Sequence, residues 1–210
     1  MNITALRPRF IQYLEPLAMA FARTGITPNQ VSLLSLAAGI ACAICFSLRL
    51  FPLGSVLLFV SAVLDLMDGS VARKNGKESR FGAVFDWIAD KYVDTLALLG
   101  IGLSGIPIVS QLLGLPPVYD FGVVAFAIIG SMMNTFIKPV VYAEAGFRER
   151  KEGKIDDPLE GVGFFGRPET LLVIGFGGLA GLAWLAVIVV AVCTNLSAVE
   201  RIVYLYRRLR

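Results

Sequence analysis

Apolar side chains recur mostly every three or four positions through the first two dozen residues, at Leu6, Phe10, Ile11, Tyr13, Leu14, Leu17 and Phe21, with Arg7, Arg9, Glu15 and Arg23 between them. That spacing predicts an amphipathic helix over residues 1–24 lying in a membrane interface, with Pro16 placed to kink it. No short apolar stretch followed by a small-residue cleavage site occurs there, so a removable signal is not expected. The pattern breaks at Thr24-Gly-Ile-Thr-Pro28, where Thr27 is suited to cap and Pro28 to open the next helix. Polar positions then become rare in six apolar stretches, about 28–48, 53–73, 79–104, 118–146, 167–182 and 184–206, each predicting a transmembrane helix. Only Gly181 and its neighbours divide the last two. The expected fold class is all-α and integral to the membrane: a juxtamembrane helix and a six-helix bundle forming one domain over residues 1–210, with no internal repeat and no soluble domain appended.

Composition supports that class. The 210 residues are 56% hydrophobic and 17% charged, with a mean hydropathy of +0.73 and a formal net charge of +3, which is too apolar for a soluble domain of this size. Disorder, collagen and coiled coil are excluded by the long apolar runs, the aperiodic Gly and Pro, and the lack of charged heptads. Cys42-Ala-Ile-Cys45 has C-x-x-C spacing, but neither a second pair nor a βαβ pattern accompanies it, and packing is the expected role of Cys42, Cys45 and Cys193. No His is present. A general base must then be a carboxylate, Lys, Tyr or Cys, and a hard cation on oxygen ligands is expected rather than zinc.

Charge sets the expected orientation. The amino-terminal segment has Arg7, Arg9 and Arg23; the link after the second stretch has Arg73, Lys74, Lys77 and Arg80; the link after the fourth has Arg148, Arg150, Lys151, Lys154 and Arg167; four more lie at the carboxy-terminal end. The opposite side has only Arg49, and the connection from Gly105 to Tyr119 has none. Both termini and the two basic links are therefore expected in the cytoplasm, with the protein in the cell membrane.

The second and third stretches hold residues that a bilayer disfavours: Asp65, Asp68, Arg73, Asp86, Asp90, Lys91 and Asp94. Each charge near the hydrocarbon centre costs about 2.5 to 3.5 kcal/mol on insertion scales, so the cluster needs a compensating cation or an aqueous cavity. Asp65 and Asp68 stand at i, i+3, and Asp86 and Asp90 at i, i+4, so each pair shares a helix face. A short link makes the two helices expected antiparallel neighbours, with four carboxylates converging near the cytoplasmic surface around bound cation. Oxygen-only ligands select Mg²⁺, Mn²⁺ or Ca²⁺, and four acids suit a two-metal site for phosphoryl chemistry. Gly69 permits close approach of a phosphate, and Arg73, one turn on, suits a diphosphate.

The run Asp65-Leu-Met-Asp68-Gly69-Ser-Val-Ala72-Arg73, then Gly82, Asp86 and Asp90 at intervals of nine, four and four, resembles in full the signature of the CDP-alcohol phosphotransferase family, and the resemblance extends over the whole chain. It implies a juxtamembrane helix, six transmembrane helices, a cytoplasmic active site, Mg²⁺ or Mn²⁺ as two ions, and a homodimer. It also implies displacement of CMP from a CDP-linked donor, usually a CDP-lipid, by the hydroxyl of a second alcohol. By motif position Asp65, Asp68, Asp86 and Asp90 resemble the metal ligands and Asp90 the general base, with Ala72 and Gly82 as structural positions. Gly69, Arg73 and Ser79 resemble contacts to the CDP group, as does Pro28-Asn29-Gln30-Val31, whose first residues equally suit a plain helix start.

Asn134-Thr-Phe-Ile-Lys138 and Phe165-Gly-Arg167-Pro-Glu resemble segments of the branch that joins inositol phosphate to a CDP-lipid, where Lys138 and Arg167 match the residues that bind the acceptor phosphate. The departure is Thr170, where that branch implies a second Arg; Arg148, Arg150 and Lys151 are candidate substitutes, although a charge run beside Glu149 and Glu152 suits a solvated face or lipid headgroups. Lys91 is expected to pair with Asp94. The leading expectation is an enzyme that condenses a CDP-lipid with inositol phosphate; glycerol phosphate, serine or a soluble CDP-alcohol are alternatives, and nucleic acid is not an expected partner. A cation transporter is the rival from another class, but its acids should line a route open to both sides. A non-catalytic scaffold leaves the buried charge unexplained.

Overall fold

The computed structural model describes residues 7–23, 25–74, 80–145, 150–151, 154–155, 159 and 161–209. They form α1 (Arg7–Arg23), α2 (Pro28–Ser47), α3 (Phe51–Lys74), α4 (Arg80–Leu103), α5 (Ser110–Leu113), α6 (Val118–Glu144), α7 (Arg167–Leu179) and α8 (Ala183–Leu209). A two-residue antiparallel ladder, β1 (Arg150–Lys151) with β2 (Lys154–Ile155), follows α6. Each apolar stretch coincides with a helix whose ends fall within a few residues of expectation. The helix at the amino terminus also forms, and it runs through Pro16.

Thr27 and Pro28 start α2 as their types dictate. The Thr27 hydroxyl accepts from Gln30 N at 3.4 Å and the Gln30 side chain accepts from Thr27 N at 2.8 Å, a reciprocal capping box with Pro in the first turn. At its other end Arg49 has φ 62, and its Nε donates to Ser104 O at 2.9 Å, clasping the α2–α3 turn to the end of α4. The connection after α4, which carries no Lys or Arg, contains the single turn α5. Asp120 organises it, its carboxylate accepting from Val109 N at 2.7 Å, Ser110 N at 2.8 Å and the Ser110 hydroxyl at 2.5 Å.

One expectation needs correction. α3 and α4 are not packed on each other along their lengths; both pack chiefly on α2, which lies between them. The reason is a line of small residues on α2. Ser35 exchanges hydroxyl-to-carbonyl bonds with Ser61 of α3 at 2.9 and 2.8 Å, while a Cβ built at Gly100 of α4 would sit 2.4 Å from the Ala43 carbonyl oxygen, and one at Gly39 would strike Val93. Small side chains let helix backbones approach this closely where lipid supplies no hydrophobic drive.

These contacts also give direction. Ser35 with Ser61 and Phe46 with Gly54 run α3 against α2, whereas Gly39 with Val93 and Ala43 with Gly100 run α4 along it. Gly175 meets Phe59 and Gly178 meets Ser55, so α7 runs against α3. Asn195 donates to Phe126 O and Arg201 to Asn134 O, so α6 and α8 run together. The start of α2, end of α3, start of α4, end of α6, start of α7 and end of α8 thus share one end of the bundle. There Ala18 of α1 buries itself against Met67, flanked by Leu14 and Val63.

The core is Cys42, Phe46, Leu58, Val93, Leu98, Ile101, Val124, Ile174, Val187 and their neighbours. Many large apolar side chains, such as Leu34, Ile44, Val84, Phe126, Phe136 and Ile202, face outward, the arrangement of a bundle whose solvent is lipid. Among the described residues α2, α6 and α8 are long and apolar enough to cross a membrane, and Phe51–Met67 of α3 is a shorter apolar helix. The protein is integral to the membrane.

Candidate active site

At the end of the bundle where α3 finishes and α4 begins, one carboxylate oxygen from each of Asp65, Asp86 and Asp90 lies within 4.8 Å of the other two. Asp65 reaches the cluster from α3, and Asp86 and Asp90 from successive turns of α4, so the i, i+4 spacing performs as expected. Asp68 stands one turn beyond Asp65 on the α3 backbone; its side chain, with those of Ala72 and Arg73, lies outside the described residues, as does Ser79 altogether. Gly69 continues α3 half-buried, and Gly82 stands one turn before Asp86 on α4. Three convergent carboxylate oxygens, with no His or Cys ligand beside them among the described residues, are the donor set of a hard divalent cation, so the residues fit Mg²⁺ or Mn²⁺.

Arg167, the first residue of α7, reaches across this cluster. Its Nη1 donates to Asp65 Oδ2 at 2.7 Å, its Nη2 pairs with Asp90 Oδ1 at 2.8 Å, and its Nε donates to Asp94 Oδ1 at 3.2 Å. The other oxygen of Asp94 takes Lys91 Nζ at 2.6 Å, the pairing expected from sequence. Asp94, one turn beyond Asp90, has no solvent exposure, so a carboxylate outside the signature is fixed by two cations. Asp65, Asp86, Asp90 and Asp94 against Arg167 and Lys91 leave a formal deficit of two positive charges, which attracts further cation.

The segment before α7 aims Arg167. Asn134 Nδ2 donates to Phe165 O at 2.6 Å, Phe164 N donates to Glu200 at 3.1 Å, and Arg201 Nε donates to Val162 O at 3.0 Å. Gly163 has φ +93, and a Cβ there would meet Ser197 Oγ at 2.6 Å and Arg201 Nε at 2.7 Å, so only glycine fits. Glu169 accepts from Gly166 N at 2.9 Å and closes the helix start. α6 and α8 thereby hold the lead-in on both sides.

Other sequence expectations fall as follows. Lys138 is half-buried one turn beyond Asn134, on the same side of α6. Thr170 is buried and returns its hydroxyl to Gly166 O at 3.0 Å, so it takes no part in the cluster. Arg148 lies outside the described residues, and Arg150 and Lys151 are described only as backbone in β1. Of Pro28, Asn29, Gln30 and Val31, Gln30 caps the helix, Val31 is buried, and Asn29 is exposed at the acidic end of the bundle. The residue missed from sequence is Arg201, 5% exposed, whose Nη1 also donates to Asn134 O. Its signal is a cation about two turns before the terminal pair Arg207 and Arg208 and four positions after Ser197, on the buried face of α8 rather than at its end; the sequence groups it with the terminal basic residues.

Comparison with known proteins places this geometry. The profile of CDP-alcohol phosphatidyltransferases matches residues 25–190. Archaetidylinositol phosphate synthase of Pyrococcus horikoshii is 27% identical over 207 residues, spanning 99% of this chain and 98% of its own. Phosphatidylinositol phosphate synthase of Mycobacteroides abscessus is 35% identical over 100 residues, 45% of this chain and 44% of its own. The Mycobacterium tuberculosis phosphatidylinositol phosphate synthase with CDP-DAG bound superposes with a TM-score of 0.70 at 23% identity, over 90% of each chain. The same enzyme in complex with manganese and citrate gives 0.71 at 22%, over 91% of this chain and 88% of that one, and the two establish a shared fold. With three carboxylates of its signature, Asp65, Asp86 and Asp90, converged at one end of a helical bundle of that fold, and most of its length matched, this chain belongs to the CDP-alcohol phosphatidyltransferase family.

Proposed function

We propose that this protein condenses a CDP-lipid with inositol phosphate at the Asp65–Asp86–Asp90 cluster, releasing CMP. The observation that carries the reading is the approach of those three carboxylates to within 4.8 Å on α3 and α4. Asp65, Asp68, Asp86 and Asp90 would hold two divalent ions, Mg²⁺ or Mn²⁺, whose charge neutralises the diphosphate and the departing CMP. Asp90 accepts the proton of the acceptor hydroxyl as that oxygen bonds to the lipid-side phosphorus; the bond from phosphorus to the CMP oxygen breaks, and its electron pair leaves with CMP. Gly69, Arg73, Ser79 and the start of α2 at Pro28, Asn29, Gln30 and Val31 would receive the CDP group, with Ala72 and Gly82 keeping α3 and α4 slim beside it. Lys138 and Arg167 would receive the acceptor phosphate. The names of the full-length archaeal relative and of the structural neighbours support inositol phosphate as acceptor.

The remaining parts of the reading rest on sequence. The distribution of Lys and Arg supports a cytoplasmic site and cytoplasmic termini. α3, α4 and α7 would complete six spans with α2, α6 and α8, α1 would lie at the interface, and residues 1–210 would form one domain that pairs with a second copy.

The test is CMP release by purified protein in detergent with a CDP-lipid and Mg²⁺, against inositol phosphate, inositol, glycerol phosphate and serine. Release with inositol phosphate alone is expected. Release only with another acceptor overturns the acceptor; release only when a soluble CDP-alcohol replaces the lipid overturns the donor.

A further inference from the structure

The signature assigns no role to Asp94 or Lys91, and acceptor binding does not explain why Arg167 lies on the metal-ligand carboxylates. Three of its nitrogens contact three acids: Nη1 on Asp65, Nη2 on Asp90 and Nε on Asp94. Two of those acids, with Asp86, are the set whose oxygens converge for a cation. The third, Asp94, is fully buried and pinned on its other oxygen by Lys91. The contacts are unequal in kind. Nε and Nη1 make aligned hydrogen bonds, whereas Nη2, buried and 2.8 Å from Asp90, makes none. A guanidinium held without full alignment on one arm is an occupant that a better-matched cation can displace.

We propose that Arg167 and Asp94 form a cation-exchange couple: Arg167 is the internal counter-cation of the acid cluster, a divalent ion displaces its Nη1 and Nη2, and Asp94 retains it by Nε as it withdraws. Asp94 is then a positioning residue, and Lys91 keeps its second oxygen engaged. This rests on the divalent-ion site of the proposed function. It adds that metal affinity is set by competition with a residue of the chain itself, and that the two outer nitrogens are released toward a further anion only once metal is bound. A phosphate-bearing acceptor is such an anion, so the couple orders the two events.

The test is Mn²⁺ binding to the purified full chain in detergent without substrates, read from the free-ion paramagnetic resonance signal. Arg167→Gln should tighten Mn²⁺ binding by about tenfold or more, since the competitor is gone. Arg167→Lys, which keeps the charge on a one-point donor, should fall between, and also serves if the Gln variant folds poorly. Lys91→Gln removes the same unit charge from Asp94 but not from the converged acids, and should shift binding far less. Asp94→Asn should weaken binding while Arg167 is present, with much less effect in the Arg167→Gln background, a non-additive cycle. Equal tightening by Arg167→Gln and Lys91→Gln would mean general electrostatics and overturns the couple, as does weaker binding in Arg167→Gln. Binding that is present but indifferent to Arg167 overturns the couple and leaves the metal site standing. Binding absent from every form overturns both.

Discussion

Asp90 stands where three demands meet: it faces Asp65 and Asp86, it takes one arm of Arg167, and it is the motif position assigned to the base. Asp90→Asn preserves size and removes the proton acceptor, so CMP release should fall by about a hundredfold or more while donor binding remains measurable. Near-normal turnover would place the base elsewhere. Lys138 tests the acceptor side, because Lys138→Ala should raise the acceptor KM far more than the donor KM; equal effects would remove it from that role. At this scale the sequence was informative where spacing within one helix decides the outcome, as for Asp86 with Asp90 and Lys91 with Asp94. It was uninformative about partners across the fold. Arg167 meets Asp65 from 102 residues away and Asp94 from 73, and no local periodicity encodes such a meeting. The same holds for Arg201, whose carbonyl partners Val162 and Asn134 lie on two other segments.

Among elements, α2 has the arrangement that sequence order conceals. Its start was legible, because Thr27 and Pro28 mark a helix start, and the apolar runs mark the other helices as clearly. Its place between α3 and α4 was not, because a short link between two helices says that their ends are close, not that their sides are. The side-to-side contact depends on Ser35, Gly39 and Ala43, which are unremarked small residues until their neighbours Ser61, Val93 and Gly100 are known. Gly100→Ala would put a methyl group 2.4 Å from the Ala43 carbonyl oxygen, and relieving that contact requires a backbone shift. The expected cost is about 1 to 3 kcal/mol, measured as a lower thermal midpoint in detergent. Because the same shift moves α4, and with it Asp86 and Asp90, metal affinity should fall too. By its small residues the run Gly175-Phe-Gly-Gly178 suits close helix packing, either between chains or within one. The structure uses Gly175 against Phe59, Gly177 against Ala186 and Gly178 against Ser55, all within the chain, and leaves Phe176 60% exposed.

On the scale of the whole molecule, the apolar exterior and the polar, acid-rich end divide the bundle into a lipid-facing body and a chemical pole. Chelation of divalent ions should abolish CMP release, and Mg²⁺ or Mn²⁺ should restore it; release that persists in excess chelator would remove the carboxylate trio from the chemistry. The course of α7 adds a constraint of a different kind. It has 13 residues and runs beside α3 only from Arg167 at Asp65 to Gly178 at Ser55. At 1.5 Å per residue it is about 20 Å long, against a hydrocarbon thickness of about 30 Å. A rod that short cannot span an average leaflet pair without the bilayer thinning around it or its charged end sinking below the headgroups. With α7 as a span, as proposed above, the reacting diphosphate would descend to Arg167 and the acids or the membrane would dimple to meet them, and either distortion would grow with acyl-chain length. Reconstituted into vesicles of graded chain length, the protein should release CMP fastest in the thinnest bilayers, so that membrane thickness itself acts as a control on catalysis.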